Sequence, residues 1–347
     1  MTAIIGWDIG GAHIKAARAD DGRLTAVVQI ACAPHEGVAS LEQALRDGRA
    51  ALGVADRHRV TMTAELSDAF ESRARGVATV ASIAMREMGV PDIVFYAGDR
   101  GLITRDEIGA NVDAVASANW RASAELVARR CADALFIDIG STTTDLAPIC
   151  AGRVVALGAS DTARLACGEL AYAGFSRGAP QAYARRAPVA GSWTPLVNEA
   201  FASMADVRRV LGDLAEGETE ADLSPTADGR PKTIAASRAR LARLIGRDAA
   251  ELADAQHRAL AEFFARAQLR VIEDQIALCE SRDARAFDAP IVGAGAGRKL
   301  AARLAQALGR AFVDFGDLIA APPALRDKAA VCAPAAALAL LPEPRRA

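Results

Sequence analysis

The sequence predicts an α/β protein of two lobes, each a mixed sheet covered by helices, facing one another across a central cleft. The first observation behind this is a repeated device. An apolar strand, Ile4–Asp8, runs into Ile9-Gly10-Gly11-Ala12 and leaves as His13-Ile14-Lys15. Far downstream, Leu135–Asp138 runs into Ile139-Gly140-Ser141-Thr142 and leaves through Thr143-Thr144-Asp145. The second observation is that each copy opens a β meander, followed in the first half by alternating helices and strands, as suits a mixed sheet with helical layers. The third is size: 347 residues, 52% of them hydrophobic, suffice for two cores.

In the first lobe, taken as residues 1–130, strands are expected at Ile4–Asp8, His13–Ala19 and Leu24–Ala31, with Asp20-Asp21-Gly22 as the hairpin turn. There follow a helix from about Ser40 to Leu52, a strand at Val60–Thr63 and a helix over Val77–Met88, stopped by Gly89 with Pro91 beyond it. Ile93–Tyr96 reads as a buried strand. The second lobe, 131–347, repeats the opening with strands at Leu135–Asp138, Thr143–Ile149 and Val154–Leu157 and a turn at Ala151-Gly152. From about 159 to 246 the rhythm breaks into prolines, an acidic patch at Glu216–Asp222 and the run Ala227-Asp228-Gly229-Arg230. This reads as an insertion over the cleft, partly helical at Asn198–Leu211. Glu251–Glu280 has long helical periodicity, with Leu252, Leu260, Phe263, Leu269, Ile272 and Ile276 as the expected buried stripe. A strand at Pro290–Gly293, a helix over Ala294–Leu308 and a short strand at Ala311–Phe315 precede a final apolar helix, expected to return to the first lobe. Hinges are expected near residues 119–134 and at that last helix.

A net charge of −2 and the lack of a basic stripe interleaved with aromatics argue against a nucleic-acid partner. Six scattered cysteines with no CxxC pair suit reduced thiols better than a disulfide framework or a zinc site. Four histidines without a ligand-spaced pair argue against His-based zinc chemistry. The N-terminus enters a strand almost at once, and the most apolar tail segment, Ala329–Leu341, is too short to span a bilayer. The expectation is a cytoplasmic protein without membrane partners, with homo-oligomerisation left open.

Glycine lets backbone N–H groups approach a phosphate where a Cβ would obstruct them, and a nest of such groups binds anions. Gly10, Gly11 and Ala12, with Gly140, Ser141 and Thr142, are therefore candidate phosphate cradles. Asp8 and Asp138 occupy equivalent places in the two loops; with Asp145 they are candidates for Mg²⁺, which takes a carboxylate or two plus phosphate oxygens. The plainer reading of each is a strand-end carboxylate capping a turn. Lysine occurs only at Lys15, Lys232, Lys299 and Lys328. Lys15, on the same strand face as His13, is a candidate phosphate partner. Gly293 and Gly295 stand in a Gly-Ala-Gly-Ala-Gly run that feeds a helix N-terminus, a third place for phosphate or nucleotide. Such a run also serves close helix–strand packing.

These three motifs, in this order, resemble those of the actin-like ATPase and sugar-kinase superfamily, in which two phosphate loops and a later glycine-rich segment lie between ribonuclease-H-like lobes. Within it the chain is similar to the hydantoinase A/oxoprolinase-like proteins. The similarity is greatest to a subgroup associated with tetrahydromethanopterin- and methanofuran-linked one-carbon pathways. It runs through Gly6-Trp7-Asp8-Ile9-Gly10-Gly11-Ala12-His13, Thr61-Met62-Thr63-Ala64-Glu65-Leu66-Ser67-Asp68-Ala69-Phe70, Ser117-Ala118-Asn119-Trp120 and Thr226-Ala227-Asp228-Gly229-Arg230. What the resemblance implies is a methanofuran- or methylofuran-type synthase. Such an enzyme joins a furan-methyl diphosphate to the phenol oxygen of a γ-glutamyl-tyramine or tyrosine-like acceptor and releases diphosphate.

On that reading Mg²⁺ and the loop N–H donors take up charge on the leaving group, with Asp8 and Asp138 at the chemical centre. Glu65 and Asp68 follow the Val60–Thr63 strand, where ligands collect in open α/β sheets. Either is a candidate base for the phenol or a partner for the acceptor's ammonium; a helix-capping cluster is the structural alternative. Asn119 and Trp120 are candidate substrate contacts, the indole by stacking on an aromatic ring or, equally, as core. Arg177 and Arg230 are candidate clamps for carboxylate or diphosphate. A second reading is an ATP-dependent kinase or hydrolase, for which the same motifs hold ATP and Mg²⁺; only then is ATP a cofactor. A third is a nucleotide-sensing partner without catalysis.

Overall fold

The repeated strand–turn–strand device builds the same sheet nucleus twice. Strands β1 (Ala3–Ile9), β2 (His13–Asp20) and β3 (Arg23–Ala31) form an antiparallel meander. β4 (Arg57–Met62) and β5 (Ile93–Tyr96) add parallel to β1, and β6 (Leu102–Ile103) closes the edge, in the order β3-β2-β1-β4-β5-β6. The second sheet starts with β7 (Ala134–Ile139), β8 (Thr144–Cys150), β9 (Arg153–Val154) and β10 (Leu170–Ala171). A hairpin, β11 (Arg186–Val189) and β12 (Ser192–Pro195), stands apart from it. β13 (Ile291–Ala294) and β14 (Phe312–Asp314) complete the order β10-β8-β7-β13-β14, with β9 on β8. In both sheets the strand bearing the loop aspartate is central, with its hairpin partner on one side and a parallel strand on the other. This is the ribonuclease-H-like arrangement, present twice. The computed structural model describes residues 2–34, 37–89, 92–217, 219, 221–282 and 288–342.

The helices are α1 (Val38–Leu52), α2 (Arg73–Met88), α3 (Val112–Val115), α4 (Asn119–Ala128), α5 (Asp161–Cys167), α6 (Met204–Leu211), α7 (Ile234–Arg243), α8 (Asp254–Glu280), α9 (Arg298–Ala307), α10 (Phe315–Leu318), α11 (Pro323–Val331) and α12 (Ala333–Leu340). Two of them bind the sheets together. One continuous core takes in Ala17, Ala19 and Leu24 of the first sheet, Trp120 and Val127 of α4, Phe136 and Ile149 of the second, and Ala335, Ala336 and Leu338 of α12. The last helix thus returns to the first lobe, and α4 reaches β7 and β8 before residue 130. Small side chains make this possible: a Cβ on Gly6 would lie 2.2 Å from the Ala335 carbonyl oxygen and 2.7 Å from the Ala339 nitrogen. Beneath the same helix the buried Arg59 guanidinium donates to the Leu338 carbonyl at 2.9 Å and also to that of Leu341, satisfying carbonyls that a helix end leaves open.

Several boundaries differ from expectation. α2 begins at Arg73, a turn earlier than Val77, because Ser72 accepts the Arg75 N–H and caps it. Pro91 lies outside the described residues, as do Glu218 and Glu220 of the acidic patch. β9 is two residues rather than four. The inserted segment begins later than 159, since β10 pairs with β8 and belongs to the second sheet. Its first helix covers only Met204–Leu211. On α8 the inward stripe runs Leu260, Phe264, Gln268, Ile272, Ile276 at strict four-residue spacing. Phe263 falls beside it and packs edge-on against Trp193 of β12. Ala294 ends β13 rather than starting a helix, and α9 begins at Arg298. The expected final helix is two, α11 and α12, parted at Cys332, because Pro334 cannot supply an N–H to a continuous one. Among the described residues no helix is long and apolar enough to cross a membrane.

Gly6→Ala forces backbone apart where β1 meets α12 and is expected to cost about 2–3 kcal/mol. Gly11→Ala, with nothing within 4 Å of the added carbon, is expected to leave stability unchanged. Urea denaturation of both variants checks the contrast; equal midpoints would contradict this packing.

Candidate active site

The two loops are built alike and open into one cleft. Gly10 donates its N–H to the His13 carbonyl at 3.0 Å, and Gly140 donates to the Thr143 carbonyl at 2.9 Å. Loop carbonyls are then taken from behind. In the second loop Gly174, Phe175 and Arg177 donate to Thr142, Gly140 and Ser141 at 2.9, 2.8 and 2.9 Å, and Gln268 of α8 steadies the Gly174 carbonyl at 2.5 Å. In the first, Cys32 donates to the Ala12 carbonyl at 3.0 Å through its N–H and to Gly10 through its thiol. Among the described residues no protein acceptor meets the N–H groups of Gly11, Ala12, Ser141 or Thr142. A backbone whose carbonyls are occupied and whose amides are open is an anion nest.

Both nests line a cavity of about 590 Å³, together with Asp8, His13, Lys15, Asp68, Asn119, Trp120, Asp138, Asp145 and Arg177. The strand registers that place the charges are equivalent: Asp8 lies opposite Lys15, and Asp138 opposite Asp145. Burial pushes the Asp8 carboxyl up to about 6, against the pull of Lys15 and of the Asn119 amide. Burial likewise lifts Asp138 to about 7, with Lys15 opposing and Asp145 and Asp8 adding to the rise. Burial works against the Lys15 ammonium too, yet the surrounding carboxylates of Asp8, Asp138 and Asp145 and the Cys332 thiol hold its pKa above the usual value. Asp145 is raised by burial and pulled back by Arg164, which donates to it at 2.5 Å. His13 is driven down to about 4 by burial, with Lys15 and Arg177 reinforcing, so its imidazole is neutral at neutral pH.

The donor set suits Mg²⁺ held together with a phosphate. Asp8 Oδ1 is buried without a partner, and Asp138 stands across the cleft loops from it with no ion pair of its own among the described residues. Asp145 is engaged by Arg164. Among the described residues no cluster of three or more His, Cys, Asp or Glu has the geometry for a metal. One or two carboxylates with phosphate and water are what Mg²⁺ requires, and Asp8 and Asp138 could supply the carboxylates.

Glu65, Gly293, Gly295 and Arg230 stand apart from the cleft wall. Glu65 is 1% exposed beneath the turn at Ala64–Leu66, where its Oε1 accepts from the Ser117 hydroxyl at 3.0 Å; burial raises it to about 7. Gly293 packs under Phe312, whose ring would sit 2.5 Å from a Cβ there. Gly295, at φ +82°, backs directly onto Asp138: a Cβ would meet its Oδ1 at 2.3 Å. This glycine run therefore serves close packing behind the second loop. Arg230 is exposed in the insertion, where Asp228 accepts from Arg240 at 2.9 Å and Arg240 also bonds the Arg230 carbonyl. The Thr226–Arg230 motif holds the insertion together. Trp120 touches the cleft, but the Arg164 guanidinium lies 3.8 Å over its ring, so that face is already covered. Ser117, from the Ser117–Trp120 segment, lines the cleft, as do Asp161, Arg164 and Tyr172, which no motif announced. Asp161 and Arg164 both come from α5, Ser117 precedes α4 and Tyr172 follows β10.

A double ribonuclease-H-like fold with paired anion loops is the architecture of the actin-like ATPase and sugar-kinase class. Acetone carboxylase, in a nucleotide-free structure, shares this fold: TM-score 0.51 and 13% identity over 86% of this chain and 66% of that one. Component A of (R)-2-hydroxyglutaryl-CoA dehydratase from Acidaminococcus fermentans is similar at TM-score 0.47 and 12% identity, over 98% and 97% of the two chains. The profile of the hydantoinase/oxoprolinase family matches residues 56–325, and the chain belongs to that family. A curated relative from Methanocaldococcus jannaschii, the (4-{4-[2-(γ-L-glutamylamino)ethyl]phenoxymethyl}furan-2-yl)methanamine synthase, is 32% identical over 190 residues. That match spans 54% of this chain and 56% of the relative, little more than half of each.

Because Asp8 and Asp138 are raised in the folded protein, their unfolded counterparts release protons first, near pH 4. The contribution of these two carboxyls to folding stability therefore falls from about pH 4 to about pH 7, whereas the buried neutral imidazoles of His13 and His58 contribute in the opposite sense up to about pH 6.5. Asp138→Asn removes much of this decline and is expected to raise the melting temperature at pH 8 by about 2 °C or more. Melting curves from pH 4 to 8 of both proteins test it; parallel curves would show that burial does not penalise the carboxylate.

Proposed function

We propose that the cleft holds a furan-methyl diphosphate and joins its methylene carbon to the phenol oxygen of a glutamyl-tyramine or tyrosine-like acceptor, releasing diphosphate. This makes the protein a methanofuran- or methylofuran-type synthase. The observation that carries the reading is the pair of opposed anion nests with Lys15 set among the loop carboxylates. The product described by the name of the Methanocaldococcus jannaschii relative, an aryl ether of a furan-methyl group, supports the choice of substrates.

In the mechanism the open N–H groups of Gly11, Ala12, Ser141 and Thr142 grip the diphosphate, and Lys15 and Arg177 add positive charge. As the methylene–oxygen bond breaks, its electron pair passes to the diphosphate, and these preorganised donors stabilise it where water is scarce. Asp8 and Asp138 would hold Mg²⁺, which supplies further neutralisation of the diphosphate oxygens. The phenolate oxygen forms the new bond to the methylene carbon. Asp68, exposed at the cleft, suits the acceptor's ammonium group, and Asn119 orients Asp8. A neutral His13 beside Lys15 offers a donor without a competing charge.

Incubation with a furan-methyl diphosphate and a tyramine derivative is expected to yield the ether and diphosphate, with no dependence on ATP. Asp8→Ala and Asp138→Ala are each expected to lower turnover by about 100-fold or more. Acceptor-dependent formation of ADP from ATP would overturn this reading in favour of a kinase. Unchanged turnover in both variants would remove the loops from catalysis.

A further inference from the structure

Three oxygens stand in a row leading from the cleft wall to the buried side chain beneath it: Asp161 Oδ2, Ser117 Oγ and Glu65 Oε1, with separations of 3.1 and 3.0 Å. Glu65 follows β4 and Ser117 precedes α4, whereas Asp161 opens α5 beyond the second sheet's hairpin. Glu65 is sealed, and its other oxygen has no partner among the described residues. Asp161 lines the cavity; its Oδ2 also accepts from Arg73 at 3.2 Å, and no hydrogen bond reaches its Oδ1 among the described residues. Ser117 holds φ at +52°, a left-handed conformation that costs a non-glycine residue free energy and is retained where surroundings enforce it.

Hydrogen counting gives this row its meaning. Two hydrogen bonds need two hydrogens, and a serine hydroxyl supplies one. With both carboxyls ionised, one oxygen pair faces lone pair to lone pair; one added proton completes both bonds. The row is therefore a proton acceptor with a capacity of one.

We propose that Asp161, Ser117 and Glu65 form a proton relay in which Asp161 takes the hydroxyl proton of the acceptor and Ser117 passes it to Glu65. The inference rests on the cleft being where a hydroxyl nucleophile is deprotonated. The phenol O–H bond breaks and its electron pair stays on oxygen, which attacks the methylene carbon. The proton joins Asp161, a proton moves from Asp161 to the serine oxygen as the serine hydrogen moves to Glu65, and diphosphate leaves with its bonding pair. Asp161 is the catalytic residue; Ser117 and Glu65 act through it. An unperturbed phenol holds its proton to about pH 10, so a base poised close to neutrality is needed to draw it off. Glu65, raised to about 7 mainly by burial and lowered by Ser117 and Arg73 while Asp161 opposes them, is such a sink. The charged groups facing it are Arg73 and Asp161.

In the resting protein labelled with 13C-glutamate, which leaves the aspartates Asp8 and Asp138 unlabelled, infrared spectroscopy is expected to show a protonated glutamate carboxyl lost between about pH 6 and 8 and absent in Glu65→Gln. In turnover, kcat is expected to rise with pH through an apparent pKa near 7 that belongs to the row as a whole. Glu65→Gln and Ser117→Gly are each expected to lower kcat by about 100-fold and to abolish that limb. Glycine suits the Ser117 backbone, so this variant keeps the fold while losing the hydroxyl. A Glu65 band that titrates near pH 4, or an unchanged pH limb in both variants, overturns the relay. If the wild type makes no ether, the synthase reading alone fails, and the infrared titration still decides whether the row carries its proton.

Discussion

Backbone contact between β1 and the alanine-rich α12 is the constraint on which the site depends. Two anion nests more than a hundred residues apart serve one ligand only if their sheets stand at a set spacing. That spacing is enforced by two helices, α4 and α12, sandwiched between them. Gly6 admits the Ala335 carbonyl where any side chain would push the helix away, and Arg59 ties the far end of that helix to the first sheet. Most of the facing residues on α12 are alanine, so helix axis and strand approach closely and the cavity opens at the helix's N-terminal end, where Pro334 forms part of its wall.

The cleft concentrates cost where its ligand would relieve it. Asp8, Asp138 and Asp145 surround one ammonium, and burial raises all three carboxyls. A polyanion with a divalent ion would supply both the negative partners that the open amides lack and the positive charge that the carboxylates lack. The site is thus unstable in the sense that matters for function: folding holds charges and donors apart from water before any ligand repays the expense. Arg164 shows how the rest is stabilised. It neutralises Asp145, covers Trp120 and bonds the Leu146 and Glu169 carbonyls, locking α5 to the second sheet.

Much of the fold was legible because its signals are local. Asp-Ile-Gly after an apolar strand, twice, implied paired loops. Gly89 and the helical periodicity of Glu251–Glu280 marked helices by geometry that any sequence window contains, although they did not reveal the Ser72 cap that starts α2. The glycine run at 293–297 left both uses of glycine open, because no window distinguishes approach to a phosphate from approach to a neighbouring strand; Gly295 makes room for Asp138. Arg230 and Trp120 stayed open for a related reason: a polar or aromatic residue beside a motif carries no sign of which neighbour claims it, and here Arg240 bonds the Arg230 carbonyl and Arg164 covers the Trp120 ring.

The sequence by itself determined which backbone segments turn on glycine beside a carboxylate, because φ and ψ preferences act within a few residues. It determined two sheets and a helical remainder for the same reason. Only the tertiary structure decided that Ser117 and Asp161, forty-four positions apart, share a hydrogen-bond distance, and that Glu65 lies beneath the cleft instead of facing it. Side-chain burial and proton affinity depend on what packs across space from other elements, and a chain read in order contains no such neighbours.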